Sequence, residues 1–202
     1  MSDRHHITRS SAVDFERVLE PRSRFGTSDE SRNGVSSTVP ESSDQSNDLS
    51  EDVKRSNVVQ LVFDGDDGRF RAFVDVVRNA IPLGVGAVLR GSAVTGVRWR
   101  DGAAFDAEGP GTSDLDLTLV GGEALAMFRL DGFYVPGLHS RPLSDKEDPA
   151  IAPDLVSLRQ KLMAMVGRPV NIQATGDLVM FLRGDLLGQP YLTLVARQAE
   201  QT

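Results

Sequence analysis

Hydrophobic and polar positions alternate strictly from residue 114 to residue 119, in the segment Asp-Leu-Asp-Leu-Thr-Leu, which Val120 follows. An alternation with a period of two is typical of a β-strand, because successive side chains of a strand point to opposite faces of the sheet. Asp114, Asp116 and Thr118 would share one face, and the leucines that follow each of them would share the other. The pattern therefore predicts a strand that presents two carboxylates side by side.

Two longer segments have apolar residues three and four positions apart, which is typical of one face of a helix. These stripes are Phe70, Phe73, Val74, Val77 and Ile81 in a helix at 68–80, and Leu155, Leu158, Leu162 and Met165 in a helix at 154–167. Further strands are predicted at 57–63, 85–89, 169–174 and 191–196, shorter helices at 93–99, 123–130 and 177–187, and a long loop at 131–153. Helices and strands thus alternate, which predicts an α/β (α+β) fold: a small mixed sheet flanked by helices.

Residues 1–56 contain few large apolar side chains and many serine and acidic residues. Such a segment cannot bury enough apolar surface to offset the entropy lost on ordering. We therefore expect a disordered tail at 1–56 and a single folded domain at 57–202.

Composition excludes several function classes. The formal net charge of −7 argues against a protein that coats nucleic acid, so a nucleic-acid partner is not expected. The chain has no cysteine, which excludes disulfides, thiolate metal sites and a cysteine nucleophile. No apolar run approaches the roughly 18 residues of a membrane span, and the amino terminus does not have the pattern of a signal peptide. We expect a soluble cytoplasmic protein without a membrane partner.

Two segments carry candidate chemistry. The strand that ends at Leu89-Arg90 runs into Gly91-Ser92, where a helix could begin and where backbone N–H groups could face phosphate oxygens. On the predicted strand at 114–120, Asp114 and Asp116 would repel each other unless a cation lay between them. Mg²⁺ would compensate this repulsion, because it takes oxygen ligands and commonly bridges carboxylates to phosphates.

In their order and strand contexts, Leu89-Arg-Gly-Ser92 and Ser113-Asp-Leu-Asp-Leu117 resemble the motifs of the DNA polymerase β-like nucleotidyltransferase superfamily, in particular its small prokaryotic members. The resemblance covers residues 70–174. It implies that Asp114 and Asp116 hold Mg²⁺, and that Arg90, Gly91, Ser92 and Ser113 bind a nucleoside triphosphate. The implied reaction is attack by a hydroxyl of an unknown small-molecule or protein acceptor on the α-phosphorus.

The chain departs from the superfamily pattern in two ways. Residues 93–113 separate the two motifs by more than in compact members of the superfamily, which indicates an insertion around residues 100–109. The third carboxylate of the superfamily falls at Asn171, whose amide can ligate a metal but cannot take up a proton. Other acids that could replace it are Asp106, Glu108, Asp131, Asp145 and Asp177. Two main readings therefore stay open: an enzyme that uses another acid, and a binding or regulatory module that has lost catalysis. A third is a non-enzymatic α/β domain in which the face with Asp114 and Asp116 is only solvated.

The remaining polar and aromatic candidates have a simpler expected role. Four arginines could contact the triphosphate, but isolated arginines are usually surface residues, which is the reading favoured for Arg90, Arg98, Arg100 and Arg168. Packing is favoured over recognition for Trp99, an anchoring role in the loop for Tyr134, and a plain loop position for His139.

Overall fold

A computed structural model of the chain describes residues 49–178 and 189–197. The α-helices are α1 (Glu51–Phe63), α2 (Asp67–Ala80), α3 (Ser92–Thr95), α4 (Gly122–Ala126) and α5 (Pro153–Val166). The strands are β1 (Gly86–Arg90), β2 (Leu115–Val120), β3 (Phe133–Val135), β4 (His139–Ser140), β5 (Val170–Thr175) and β6 (Tyr191–Val195). Two short 3-10 helices lie at Leu130–Gly132 and Pro149–Ile151.

The six strands form one mixed sheet in the order β3-β4-β5-β2-β1-β6. Strand β2 pairs antiparallel with β1 and parallel with β5, and the other neighbours are antiparallel. Helices flank this sheet, so the predicted α/β (α+β) class with a small mixed sheet is confirmed. The three central strands are those that carry the candidate motifs.

The core lies on the face of the sheet that receives the leucines of β2. Leu89, Leu117 and Ile172 are register partners across β1, β2 and β5, and all three are fully buried. Helix α1 packs Phe63 edge-to-face on Phe70 and Phe73 of α2, with ring centroids 5.6 and 5.5 Å apart. Because one face of the central strands is apolar and buried, their alternate residues must project from the other face.

Most predicted elements are confirmed, with small shifts at their ends. The helices at 68–80 and 154–167 correspond to α2 and α5, and the strands at 85–89, 169–174 and 191–196 to β1, β5 and β6. The helix predicted at 93–99 corresponds to α3, which is shorter and ends at Thr95. The helix predicted at 123–130 corresponds to α4, which ends at Ala126. The disordered tail falls outside the described residues as far as residue 48, and so does the helix at 177–187 beyond its first two residues.

The strand predicted at 57–63 is wrong, because this segment is the second half of helix α1. The β-branched valines there resemble a strand, but Val58, Val59, Val62 and Phe63 lie on one helical face and are buried. The decisive signal lies upstream, where the Ser50 side chain accepts a hydrogen bond from the N–H of Val53 and acidic residues fill the first turn.

The loop predicted at 131–153 also contains regular structure, namely β3, β4 and both 3-10 helices. His139 is a buried residue of β4 whose Nδ1 lies 2.8 Å from Thr175 Oγ1, so its prediction as a loop residue is wrong. Tyr134 lies in β3 with 63% of its surface exposed, which does not fit the anchoring role predicted for it.

Candidate functional site

Three polar side chains form a row across the middle of the sheet. Arg90 of β1 is the register partner of Asp116 of β2, and Asp116 is the register partner of Asn171 of β5. Register partners on neighbouring strands point to the same face. The row therefore lies on the face opposite the buried leucines, one position along each strand from the apolar row of the core.

Asn171 joins the two aspartates. Its Nδ2 donates a hydrogen bond to Asp114 Oδ2 at 2.5 Å and another to Asp116 Oδ1 at 3.1 Å. Both carboxylates thus converge on one nitrogen, which uses its two hydrogens to satisfy them. The superfamily resemblance places a third carboxylate at position 171. This position is next to both aspartates, but its side chain is a neutral amide that donates hydrogen bonds to them.

Asp116 lies in an environment that disfavours its charge. Burial raises the pKa of Asp116, and the nearby charge of Asp114 raises it further, while the Arg90 guanidinium and the hydrogen bond from Asn171 act in the opposite direction. The net effect is a raised pKa. Arg90 is itself buried, and its Nε donates to Thr118 Oγ1 at 2.9 Å. A cation bound beside Asp116 would offset the cost of its burial as an anion.

The corner between β1 and α3 lies directly against this acid. Gly91 has φ +80°, and a Cβ built on it would lie 3.2 Å from Asp116 Oδ2. A side chain at this position would therefore be strained by its backbone conformation and would crowd the carboxylate. The glycine permits close approach of the corner to Asp116, and Ser92 follows as the first residue of α3.

A cavity of about 340 Å³ opens at this corner. Six predicted site residues line it: Arg90, Gly91, Ser92, Ser113, Asp114 and Asp116. Asn171 instead lines a neighbouring cavity of about 380 Å³, and Asp114 borders both. The structure thus brings the two motifs together around one space, although the roles predicted for these residues stay predictions.

The segment at 96–113, which we call the insertion loop, forms another wall of the first cavity. Its residues Arg98, Trp99, Arg100 and Glu108 line the space together with the motif residues. In this segment the sequence pointed to Ser113 as a nucleotide-binding residue and to Asp106 and Glu108 as possible acids, but not to Trp99. A signal was present, however, because a tryptophan between two arginines lies in the insertion that separates the two motifs.

Asp106 and Arg168 fasten the base of the insertion loop to the domain. The Arg168 guanidinium donates to Asp106 Oδ1 and Oδ2 at 2.9 and 3.1 Å, and also to the carbonyl of Ser113 at 3.2 Å. The N–H groups of Gly111 and Ser113 donate to the same carboxylate at 2.9 and 2.8 Å. Burial tends to raise the pKa of Asp106, but Arg168 and these N–H groups together lower it to about 2.

We call the bonded pair of Asp106 and Arg168 the clasp, and several candidate residues have structural roles in or beside it. Asp106 is engaged with Arg168 and does not line the cavity, so it does not supply the third acid, and Arg168 likewise does not line the cavity. The Ser113 hydroxyl, predicted to bind nucleotide, accepts a hydrogen bond from the N–H of Asp106 at 2.8 Å. Ser113 therefore borders the cavity and is also hydrogen-bonded to Asp106 of the clasp.

The other acids considered as a third carboxylate differ in position. Glu108 lines the first cavity and pairs with Arg98 at 3.1 Å; Asp145 lines the second and pairs with Arg159 at 2.7 Å. Asp131 and Asp177 line neither cavity. Over residues 49–178 and 189–197, no group of three acidic, histidine or cysteine side chains is placed to hold a metal ion. Any metal at this site would therefore depend on the two aspartates.

No protein-family model matches the chain, and searches of curated proteins and of solved structures also find no match. Within the part of the chain that the structure describes, no helix combines the length and apolar character needed to cross a membrane.

Proposed function

We propose that the chain is a Mg²⁺-dependent nucleotidyltransferase, which transfers a nucleoside monophosphate from a nucleoside triphosphate to a hydroxyl of a small-molecule or protein acceptor. The observation that supports this best is that Asp114 and Asp116 converge on one nitrogen, with Asp116 against the Gly91 corner, in a cavity lined by both motifs. The cavity is within the size range typical of small-molecule sites.

The donor set suits Mg²⁺. This ion is usually bound by one or two carboxylates, with substrate phosphates and water completing its octahedron. Asp114 and Asp116 would supply the carboxylates, and Asn171 could add its amide oxygen after a rotation that exchanges Oδ1 and Nδ2. When bound, the metal would neutralise the triphosphate and stabilise the leaving pyrophosphate.

In the proposed reaction, the acceptor oxygen attacks the α-phosphorus and the bond from this phosphorus to the oxygen bridging it to the β-phosphorus breaks. The leaving pyrophosphate keeps the electron pair of that bond. Arg90, Arg98 and Arg100, which all line the cavity, would balance negative charge on the phosphates. Because Asn171 cannot accept a proton, the hydroxyl proton passes to solvent water. A missing general base typically costs about 10²–10⁴-fold in rate, so we expect slow turnover.

The direct test is incubation with α-labelled nucleoside triphosphates, Mg²⁺ and a pool of hydroxyl acceptors that includes the chain itself. We expect label transfer and equimolar pyrophosphate release, both abolished in Asp114→Ala/Asp116→Ala. Asp75→Ala is a matched control, because Asp75 is an exposed acid of α2 that does not line the cavity. Equal transfer by the wild type and the double variant would exclude the proposal.

Asn171 supports a second candidate function, a nucleotide-binding or regulatory module without turnover. Its amide occupies the register position beside both acids and satisfies them by donation. In such a module, the wild type should bind nucleotide without transfer and Asn171→Asp should restore transfer, whereas the slow enzyme proposed above should already transfer label and should gain rate from the added base. Asn171→Leu is the control, because it removes the amide without adding charge. Transfer by the wild type would argue against this second candidate, whether or not Asn171→Asp increases it.

A further inference from the structure

The tip of the insertion loop presents an aromatic side chain to the cavity. Residues 97–104 form a narrow hairpin in which Val97 and Ala104 are bridge partners and the N–H of Arg98 donates to the carbonyl of Ala103 at 2.7 Å. Trp99 lies at the tip, lines the cavity and keeps 45% of its surface exposed. This exposure argues against the packing role that the sequence favoured, because a packed indole would bury most of its large apolar surface.

Hydrogen bonds and ion pairs hold this tip in shape. The Arg98 guanidinium reaches Asp101 at 3.0 Å and Glu108 at 3.1 Å, and the hydrogen bond to Glu108 is the main cause of the raised pKa of Arg98. Asp101 also accepts from the N–H of Ala103 at 3.2 Å. The indole is therefore presented on a braced turn, which reduces the entropy that ordering it around a ligand would cost.

Charge around the tryptophan defines the kind of ligand that would fit. Arg98 and Arg100 flank it in sequence and line the same cavity, and the Arg100 side chain is 80% exposed. The cavity thus combines an aromatic surface, guanidinium groups and two carboxylates suited to Mg²⁺. A ligand with a flat aromatic part joined to several phosphates matches all three features.

We propose that Trp99 is the base-stacking residue of the nucleotide site, with the indole lying against the base of a nucleoside triphosphate whose phosphates extend toward Asp114 and Asp116. This inference rests on the proposed function and adds to it the residue that holds the base. Stacking tolerates any base but increases with the area of the ring system, so purine nucleotides should bind more tightly than pyrimidine nucleotides.

The test uses the intrinsic fluorescence of the 202-residue chain, because Trp99 is its single tryptophan. Titration with ATP, GTP, CTP or UTP in the presence of Mg²⁺ should change Trp99 emission, with tighter binding of the purine nucleotides. By calorimetry, Trp99→Ala should bind ATP about 10-fold more weakly, while Trp99→Phe should keep most of the affinity. Tripolyphosphate, which has no base, should bind the wild type and Trp99→Ala equally.

Tyr134→Ala is the matched control, because Tyr134 is an exposed aromatic residue that does not line the cavity. Thermal unfolding of each variant separates a loss of stacking from a loss of fold. Unchanged ATP affinity in a folded Trp99→Ala overturns the stacking role, and label transfer by that variant would then leave the proposed function standing. ATP binding that depends on Trp99 without any transfer supports the stacking role and contradicts the enzyme. No nucleotide binding at all overturns both.

Discussion

Asp106 and Asp116 are both partly buried, but their surroundings act on them in opposite directions. Around Asp106, a bidentate guanidinium and two backbone N–H groups outweigh the effect of burial, and the pKa falls to about 2. Around Asp116, burial and the charge of Asp114 outweigh the arginine and amide beside it, and the pKa rises. Charge on the first residue stabilises the fold, whereas charge on the second costs stability and is suited to binding a cation.

Asp106→Asn should destabilise the protein at neutral pH, because it breaks the pair with Arg168 and leaves that guanidinium buried. A lowering of the pKa from 3.8 to about 2 corresponds to roughly 2 kcal/mol of stability. Since the folded-state pKa is depressed, this stability is present above pH 3.8 and is lost as the pH falls toward 2. Urea unfolding of the wild type and variant across this range measures it.

Asp75→Asn is the comparison for Asp106→Asn, because Asp75 forms an exposed ion pair with Arg78. Exposed ion pairs contribute little to stability, so Asp75→Asn should lower the free energy of unfolding much less than Asp106→Asn does. Equal stability of Asp106→Asn and the wild type at neutral pH would contradict the role of the clasp.

Asp116→Asn should have the opposite effect on stability and should abolish metal-dependent binding. Because the folded-state pKa of Asp116 is raised, its ionised form reduces stability at pH values above that pKa, and a neutral isostere removes this cost. The variant should therefore be at least as stable as the wild type at neutral pH, and the difference should vanish well below pH 3.8, where Asp116 is protonated in both the folded and the unfolded state. Urea unfolding at the two pH values tests the sign, and a less stable variant at neutral pH would contradict it.

Among the elements, those with a clear period were predictable from sequence. The alternation along β2 placed both aspartates on one face, and the same period along β5 placed Asn171 on a polar face, which the register then aligned with Asp116. Helix α1 was not predictable from its valines alone, because their preference for strands is overridden by the Ser50 cap and by packing against α2 and α3.

The insertion loop shows why part of the site escaped prediction. Its conformation depends on Asp106 and Arg168, which lie 62 positions apart, and nothing local in the sequence pairs them. The hairpin tip has no periodic pattern, so Trp99 could not be assigned to the cavity wall. The geometry of the Gly91 corner, in contrast, follows from one residue type that permits φ +80°.

Gly91→Ala tests this corner against Gly96→Ala, a control that shares its positive φ but has ψ −16° where Gly91 has ψ −161°. Both Gly91 and Gly96 have φ +80°, but only at Gly91 would a Cβ meet Asp116 Oδ2, since nothing lies within 4 Å at Gly96. Gly96→Ala should cost about 1–2 kcal/mol through strain in the left-handed region, and Gly91→Ala should cost more, because its φ/ψ region is essentially restricted to glycine; urea unfolding measures both. Gly91→Ala should in addition weaken Mg²⁺-nucleotide binding in calorimetry, and Gly96→Ala should not. Equal affinities of the two variants would show that the corner does not support the acids.

Taken as a whole, the molecule is acidic, with a formal net charge of −7, yet the cavity gathers three arginines. At long range such a protein repels polyphosphates, so binding must depend on short-range contacts with guanidinium groups and on a cation at the aspartates. The binding of the nucleotide and the binding of Mg²⁺ should therefore each strengthen the other. Without the metal, the triphosphate would face two uncompensated carboxylates; without the triphosphate, the metal would have few protein ligands.

This mutual dependence predicts a thermal signature in the intact protein. A ligand that binds only the folded state at 100 times its Kd adds about 2.7 kcal/mol of stability. Addition of ATP and Mg²⁺ together should raise Tm by more than the sum of the shifts from each alone, measured by calorimetric scans. In Asp114→Ala/Asp116→Ala this excess should disappear, whereas Asp75→Ala, altered outside the cavity, should keep it. Additive shifts in the wild type would mean that metal and nucleotide do not meet at the aspartates, and the proposed chemistry would lose its site.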